Sequence, residues 1–418
     1  MMHYYKVGEH CFATSQEGLG LSSPTESELQ KLPIHLLIEG DPISGRRSFC
    51  MTHSGQALRG HTLATLDRSR LEETPLDPPL QRAMEEGRLI AINQNTDWKS
   101  GYIPPFHLPH TGRKNRLNLL AVGDVGATLL MGLKLMGGDV ISSIGICDIS
   151  DTVCKRWEFE LGQISLPWEY EALPEVHIVS PENLFDCDIF LFVASKGIPP
   201  VGSGIKDVRM AQYEQNSQIV RHYAKQAREV GYQGLWGAVS DPVDPLAKCA
   251  YLYSNQDENG NFDGKGLKPE QVHGFGLGVM NARAAYYAKK EEKFSSFLTE
   301  GRSFGPHGTG LWVANSVEHY DEELSKELTH KTVTANLAMR ELGFKPYVAP
   351  AFSSGALSVL LMLRGEWHCG SVFLDGVYFG VKNRYTPHGI QTELIPQIPD
   401  PLYAHLEEAV SHLKELSE

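Results

Sequence analysis

The chain has 418 residues, 41% hydrophobic and 21% charged, with a formal net charge of −13 and a sequence pI near 5.7. That length calls for two or three domains. The acidic balance leaves no broad basic surface to neutralise phosphates, so no nucleic-acid partner is expected, and no apolar run reaches membrane-spanning length: even "ALSVLLMLRG" stops at Arg364, so no membrane partner is expected either.

The opening "MMHYYKVGEHCFATS" lacks a basic stretch followed by an apolar one, so no secretory signal is expected there. The seven cysteines are scattered, odd in number and never spaced Cys-x-x-Cys. They fit reduced thiols in a cytoplasm, several of them buried, better than a disulfide framework, and no metal site is expected.

Through residues 1–114 the patterning is mixed. Strand-like "IHLLIEG" and "RLIAIN" alternate with "SPTESELQKL" and "PPLQRAMEEG", which have the signals of capped helices. The expectation is a small N-terminal α+β segment, closed by the basic "HLPHTGRKNR" as a linker. From Asn115 the rhythm changes. "RLNLLAVG", "VISSIGICD", "DIFLFVAS" and "QGLWGAVS" are apolar runs of buried-strand length, and helical patterns such as "MAQYEQNSQIVRHYAKQAREVG" lie between some of them. Such alternation implies an α/β fold with a doubly wound parallel sheet of the Rossmann type, expected over residues 115–268. Past Pro269 the pattern turns to long helices and antiparallel-looking pieces, an α+β domain over 269–418. Its last helix is expected to be capped by Asp400, with Pro401 in the first turn and Leu402, Leu406, Val410 and Leu413 on one face. "DENGNFDGKGLKPE" has the alternating Asp257, Asn259 and Asn261 of a calcium loop. Its sixth position is Phe262 and its twelfth Lys268, so it reads as an insertion loop.

Two stretches point to a dinucleotide. "LLAVGDVGATLL" sets a glycine turn, Gly123 and Gly126, between a strand and a helix whose first residues are Asp124 and Val125. A pyrophosphate needs that arrangement of backbone N–H groups, although Ala121 stands where the first glycine is expected. The next strand ends in Asp148, whose carboxylate suits ribose hydroxyls and opposes a 2′-phosphate, which favours NAD over NADP.

Further stretches follow in order: "VASKGIPPVGSGIKDVR", "QYEQNSQIV", "AVSDPVDPL", "GFGLGVMNARAAYY", "FGPHGTG" and "GSVFLDGVYFGVKNRYTPHGI". From about residue 115 to the C-terminus the succession resembles the lactate/malate dehydrogenase family. The resemblance implies an NAD-dependent oxidoreductase for a 2-hydroxy/2-oxo carboxylic acid, working as a homodimer or homotetramer. It implies that His307 is the acid/base, that Arg283 grips the substrate carboxylate, and that Arg209 is the mobile-loop arginine. It adds Asn216 to the substrate site and Ala194 and Val239 to the cofactor site.

Three departures accompany it. Met280 stands where the family has the acid that orients the histidine. Asp241 replaces the asparagine that donates to the reacting oxygen, and an ionised carboxylate cannot donate. The loop from Ser195 to Arg209 is longer than the family's, so its specificity residue is not assigned. Asp241 is therefore expected either to become the histidine's new partner or to face an ammonium or imine nitrogen. Two other readings stand beside the first: the same fold acting on an amino or imino acid, and a catalytically weak NAD-binding sensor or structural subunit.

Overall fold

The structure, a computed structural model, describes residues 1–196 and 208–416; in the helix that starts at Val208, side chains are described from Gln212 onward. Six parallel strands form its centre: β6 (Asn115–Leu120), β7 (Ile141–Cys147), β8 (Glu175–Ile178), β9 (Ile189–Phe192), β10 (Leu235–Ala238) and β11 (Val272–Gly274). Their order is β8-β7-β6-β9-β10-β11, the doubly wound arrangement whose ligand crevice lies outside the carboxyl ends of the strands. In chain order it follows β1 (His3–Val7), β2 (His10–Thr14), β3 (Ile34–Ile38), β4 (Ser48–Cys50) and β5 (Leu89–Asn93), which form a separate five-stranded sheet.

Successive side chains of the central strands enter opposite cores. Ile189 and Leu191 of β9 join Leu117, Leu119 and Leu235 on one face. Phe190 and Phe192 join Leu120 and Trp236 on the other. A strand covered on both sides has no polar alternation, which is why "IFLF" reads as an unbroken apolar run. β8 differs. It is the edge strand, and only Val176 of "EVHI" is buried, so its sequence carries no strand signal and it was absent from the expected set.

The sheet does not break at residue 268. β11 completes the parallel set beyond that expected boundary, and β14 (His368–Leu374), β15 (Val377–Thr386) and β16 (Gly389–Thr392) continue the same sheet antiparallel to nine strands. Between them in sequence, β12 (Arg302–Phe304) and β13 (Trp312–Ala314) pair as a two-stranded hairpin. The last helix, Asp400–Glu415, buries Leu402, Leu406, Val410 and Leu413 as its periodicity requires. Asp400 does not cap it. The residue lies inside the first turn and its carboxylate pairs with Arg70 at 2.5 Å.

In the N-terminal sheet β2, β3 and β5 are parallel, with β1 and β4 antiparallel at its edges. The helix Glu26–Lys31 has the capping box its sequence promises, Thr25 with Glu28. This unit is tied to the rest by a buried ion pair, Arg47 to Glu270 at 2.6 Å, with Ser48 donating to the same carboxylate. Arg47 also donates to the Asp97 and Gly101 carbonyls and to Ser100, so its charge is not left unpaired. His35 of β3 is fully buried against Phe12, and neither ring nitrogen has a hydrogen-bond partner among the described residues. Burial pushes its pKa down to about 3. All seven cysteines are free, and six are buried. No helix among the described residues is long and apolar enough to cross a membrane.

Candidate active site

The glycine turn leads from β6 into the helix Asp124–Met136, whose N-cap, Gly123, offers no side-chain cap. The first-turn N–H groups, Asp124 and Val125 among them, are therefore left to an outside acceptor. Ala121 holds φ +75, a left-handed conformation that explains why a glycine is expected at this position. A Cβ on Gly126 would lie 2.1 Å from the Ala121 carbonyl oxygen, so only glycine lets the helix press this closely onto the strand end. Asp148, just beyond β7, accepts from Val122 N–H at 2.9 Å and Ser150 N–H at 3.0 Å through different oxygens. Each oxygen keeps a lone pair for a diol. Ala194 and Val239 sit half-buried at the ends of β9 and β10, with Ser240 donating to the Ala194 carbonyl. This cradle suits NAD in its small residues, its uncapped helix start and its acid. Asp124 adds a negative charge at the phosphate end, and Lys345 meets it at 2.8 Å.

His307 sits in the turn between β12 and β13. Its backbone N–H donates to Asp244 Oδ2 at 2.9 Å. Asp244 is fully buried in the first turn of the helix Val243–Ser254, and Ser371 of β14 donates to its other oxygen. Burial outweighs these hydrogen bonds and raises the Asp244 pKa to about 6.

The ring of His307 is held from the other side. Its Nδ1 lies 2.9 Å from the Gly276 carbonyl oxygen, which also accepts from Ser354 Oγ at 2.6 Å. A carbonyl only accepts, so Nδ1 carries the proton of the neutral ring and Nε2 is left with its lone pair. A Cβ on Gly276 would fall 2.5 Å from the His307 Cβ; the bare backbone at 276 is what lets the ring come this near. With Met280 unable to accept, the ring's Nδ1 is met by a main-chain carbonyl, while Asp241 meets the other ring nitrogen.

Asp241 lies on the Nε2 side of the ring. Its Oδ1 is 3.6 Å from His307 Nε2, and its side chain is half exposed. Asn216, fully buried, donates to the Asp241 carbonyl at 2.8 Å and accepts from Lys196 N–H at 3.0 Å. It therefore braces the turn, and its amide is taken up by the protein. Arg283 is half-buried in the helix Leu277–Lys290, with Nη1 3.4 Å from the Thr332 carbonyl and 3.7 Å from Met280 Sδ. Desolvation lowers its pKa, while the Asp241 carboxylate acts against that shift. No acid pairs with its guanidinium in a salt bridge among the described residues. The side chain of Arg209 and the loop over 197–207 lie outside the described residues. Sequence reasoning missed Asp244, Gly276 and Ser354. Only Asp244 left a trace, in "DPVDPL".

No protein-family model matches the chain. L-lactate dehydrogenase of Mesomycoplasma hyopneumoniae is 26% identical over 203 residues, 48% of this chain and 58% of the relative. That of Treponema denticola is 25% identical over 205 residues, with 49% and 58% covered. The match thus spans about half of this chain and under two thirds of these relatives. Among solved structures, a lactate dehydrogenase from a deep-sea metagenome library superposes with a TM-score of 0.60 at 16% identity, over 73% of this chain and 98% of its own. The malate dehydrogenase of Aeropyrum pernix gives 0.58 at 21% identity, over 72% and 97%. The fold is that of the lactate and malate dehydrogenases. The resemblance first read from ordered motifs is thereby found again in backbone geometry.

Proposed function

We propose that the protein is an NAD(H)-dependent dehydrogenase of the lactate/malate type, acting between a 2-hydroxy and a 2-oxo carboxylic acid. The observation that carries this is His307, its Nδ1 held by the Gly276 carbonyl and its Nε2 facing Asp241 near the carboxyl ends of β10 and β11. A ring held so is set to take the hydroxyl proton of a substrate and to return it. Arg283 would grip the substrate carboxylate with its planar fork. Gly123, Asp124, Val125, Gly126, Asp148, Ala194 and Val239 would hold the dinucleotide, which supplies or accepts the hydride when bound. The free, mostly buried thiols suit a reducing cytoplasm. By the same resemblance the assembly would be a homodimer or homotetramer.

Calorimetry with NADH and NADPH tests the cofactor side. Asp148 predicts tighter binding of NADH, and equal or tighter binding of NADPH would refute the assignment.

A further inference from the structure

We propose that the site also accepts nitrogen on the reacting carbon: besides the 2-oxo acid alone, it takes a 2-oxo acid together with ammonium or a primary amine and reduces the iminium carboxylate they form. This rests on the dehydrogenase reading above and names its second substrate.

The argument is a count of donors and acceptors. With Nδ1–H given to the Gly276 carbonyl, neutral His307 presents only a lone pair at Nε2. The Asp241 carboxylate, 3.6 Å away on the same side, also only accepts. Two acceptors thus flank the place where the substituent of the reacting carbon must sit. Asn216 cannot reverse this, because its amide donates to the Asp241 carbonyl. A 2-hydroxy acid brings a single O–H, so one acceptor is left against an oxygen lone pair. A 2-oxo acid brings no donor, and its carbonyl oxygen would face the negative carboxylate. An ammonium or iminium group brings two or more N–H donors and a positive charge, and so matches both acceptors and the sign of Asp241. Arg283, which Asp241 acts on electrostatically, serves the substrate carboxylate in either case.

The step balances with the reduced dinucleotide as reductant. The ammonium form of the amine and the 2-oxo acid condense with loss of water to the iminium, which keeps the ammonium's charge. Its carbon receives a hydride, one hydrogen and two electrons, and the π pair of the C=N bond becomes the nitrogen lone pair. Water then protonates that nitrogen. Asp241 holds the iminium charge before the hydride arrives and the N–H group afterwards.

The test incubates the full chain with NADH and a panel of 2-oxo acids, alone and with ammonium or methylamine, and identifies products by mass spectrometry. The expected product is the 2-amino or N-methylamino acid. Asp241→Asn, which regains a donor, should shift the ratio toward the 2-hydroxy acid by on the order of 100-fold. Calorimetry on the NAD+-loaded protein should show the 2-amino acid binding better than the 2-hydroxy acid of the same side chain. Exclusive formation of the hydroxy acid with amine present, or tighter binding of the hydroxy acid, overturns the proposal and leaves the dehydrogenase reading intact. No NADH consumption with any 2-oxo acid, amine present or not, overturns both.

Discussion

Asp244→Asn should change how the stability of this protein depends on pH. In the fold the carboxylate is fully buried and its pKa is raised to about 6, whereas an unfolded aspartate titrates near 3.9. Between those values the folded chain binds more protons than the unfolded one, so stability is greatest below the unfolded pKa and is lost as pH rises through about 6. Two pKa units correspond to ~3 kcal/mol in all, of which about 1 kcal/mol falls between pH ~5 and ~8. Asparagine keeps both contacts, its oxygen accepting from His307 N–H and its amide donating to Ser371 Oγ, but has no charge to desolvate. Urea unfolding of both proteins across that range measures the difference. The variant should gain about 1 kcal/mol on the wild type toward high pH, and because every other titrating group is shared, the difference isolates Asp244. A flat difference, or one of opposite slope, refutes the buried-carboxyl account of the loop that carries His307.

His35 carries the opposite sign. Its pKa is depressed to about 3 by burial, so its contribution is present above the unfolded value of about 6.5 and is lost as pH falls toward 3. His35→Phe should remove about 3 kcal/mol of the acid destabilisation near pH ~4, read by the same unfolding experiment, and an unchanged acid limb would contradict it. Gly276→Ala should displace the His307 loop, because the new Cβ meets the His307 Cβ at 2.5 Å, close to the backbone, where no rotamer can relieve it. Turnover should drop on the order of 100-fold while NADH affinity holds, and near-normal turnover would mean the ring position is not what the reaction needs.

The parts of the fold written in side chains were legible. "DIFLFVAS" and "QGLWGAVS" announce buried strands because both of their faces are covered, and Leu402, Leu406, Val410 and Leu413 announce a one-sided helix. What lay in the backbone or in distant pairing was not. β8 is an edge strand with one buried residue, and the parallel pairing of β2, β3 and β5 depends on crossovers that no local pattern records. Asp400 has the sequence of a cap but is drawn to Arg70, from 330 positions away. From their motifs His307, Arg283 and Asp241 were expected at one site, and the structure brings Asp241 beside His307 and within electrostatic reach of Arg283. The carbonyl that orients the histidine belongs to a glycine and has no side-chain signature, and the burial that makes Asp244 unusual appears only once β14 is laid over it. Asp241 is legible as a departure, but its place on the Nε2 side of the ring is set by the tertiary fold.

The central claim is that His307 serves hydride transfer to C2 of a carboxylic acid bound by Arg283. It is tested most directly by supplying the full chain with NADH deuterated at the transferring position, a panel of 2-oxo acids and ammonium, and locating the label by mass spectrometry. The account predicts deuterium at C2 of the product with the wild type, and loss of that product with His307→Asn while NADH binding persists. Label transfer undiminished in His307→Asn, or no labelled product from the wild type with any 2-oxo acid, would contradict it.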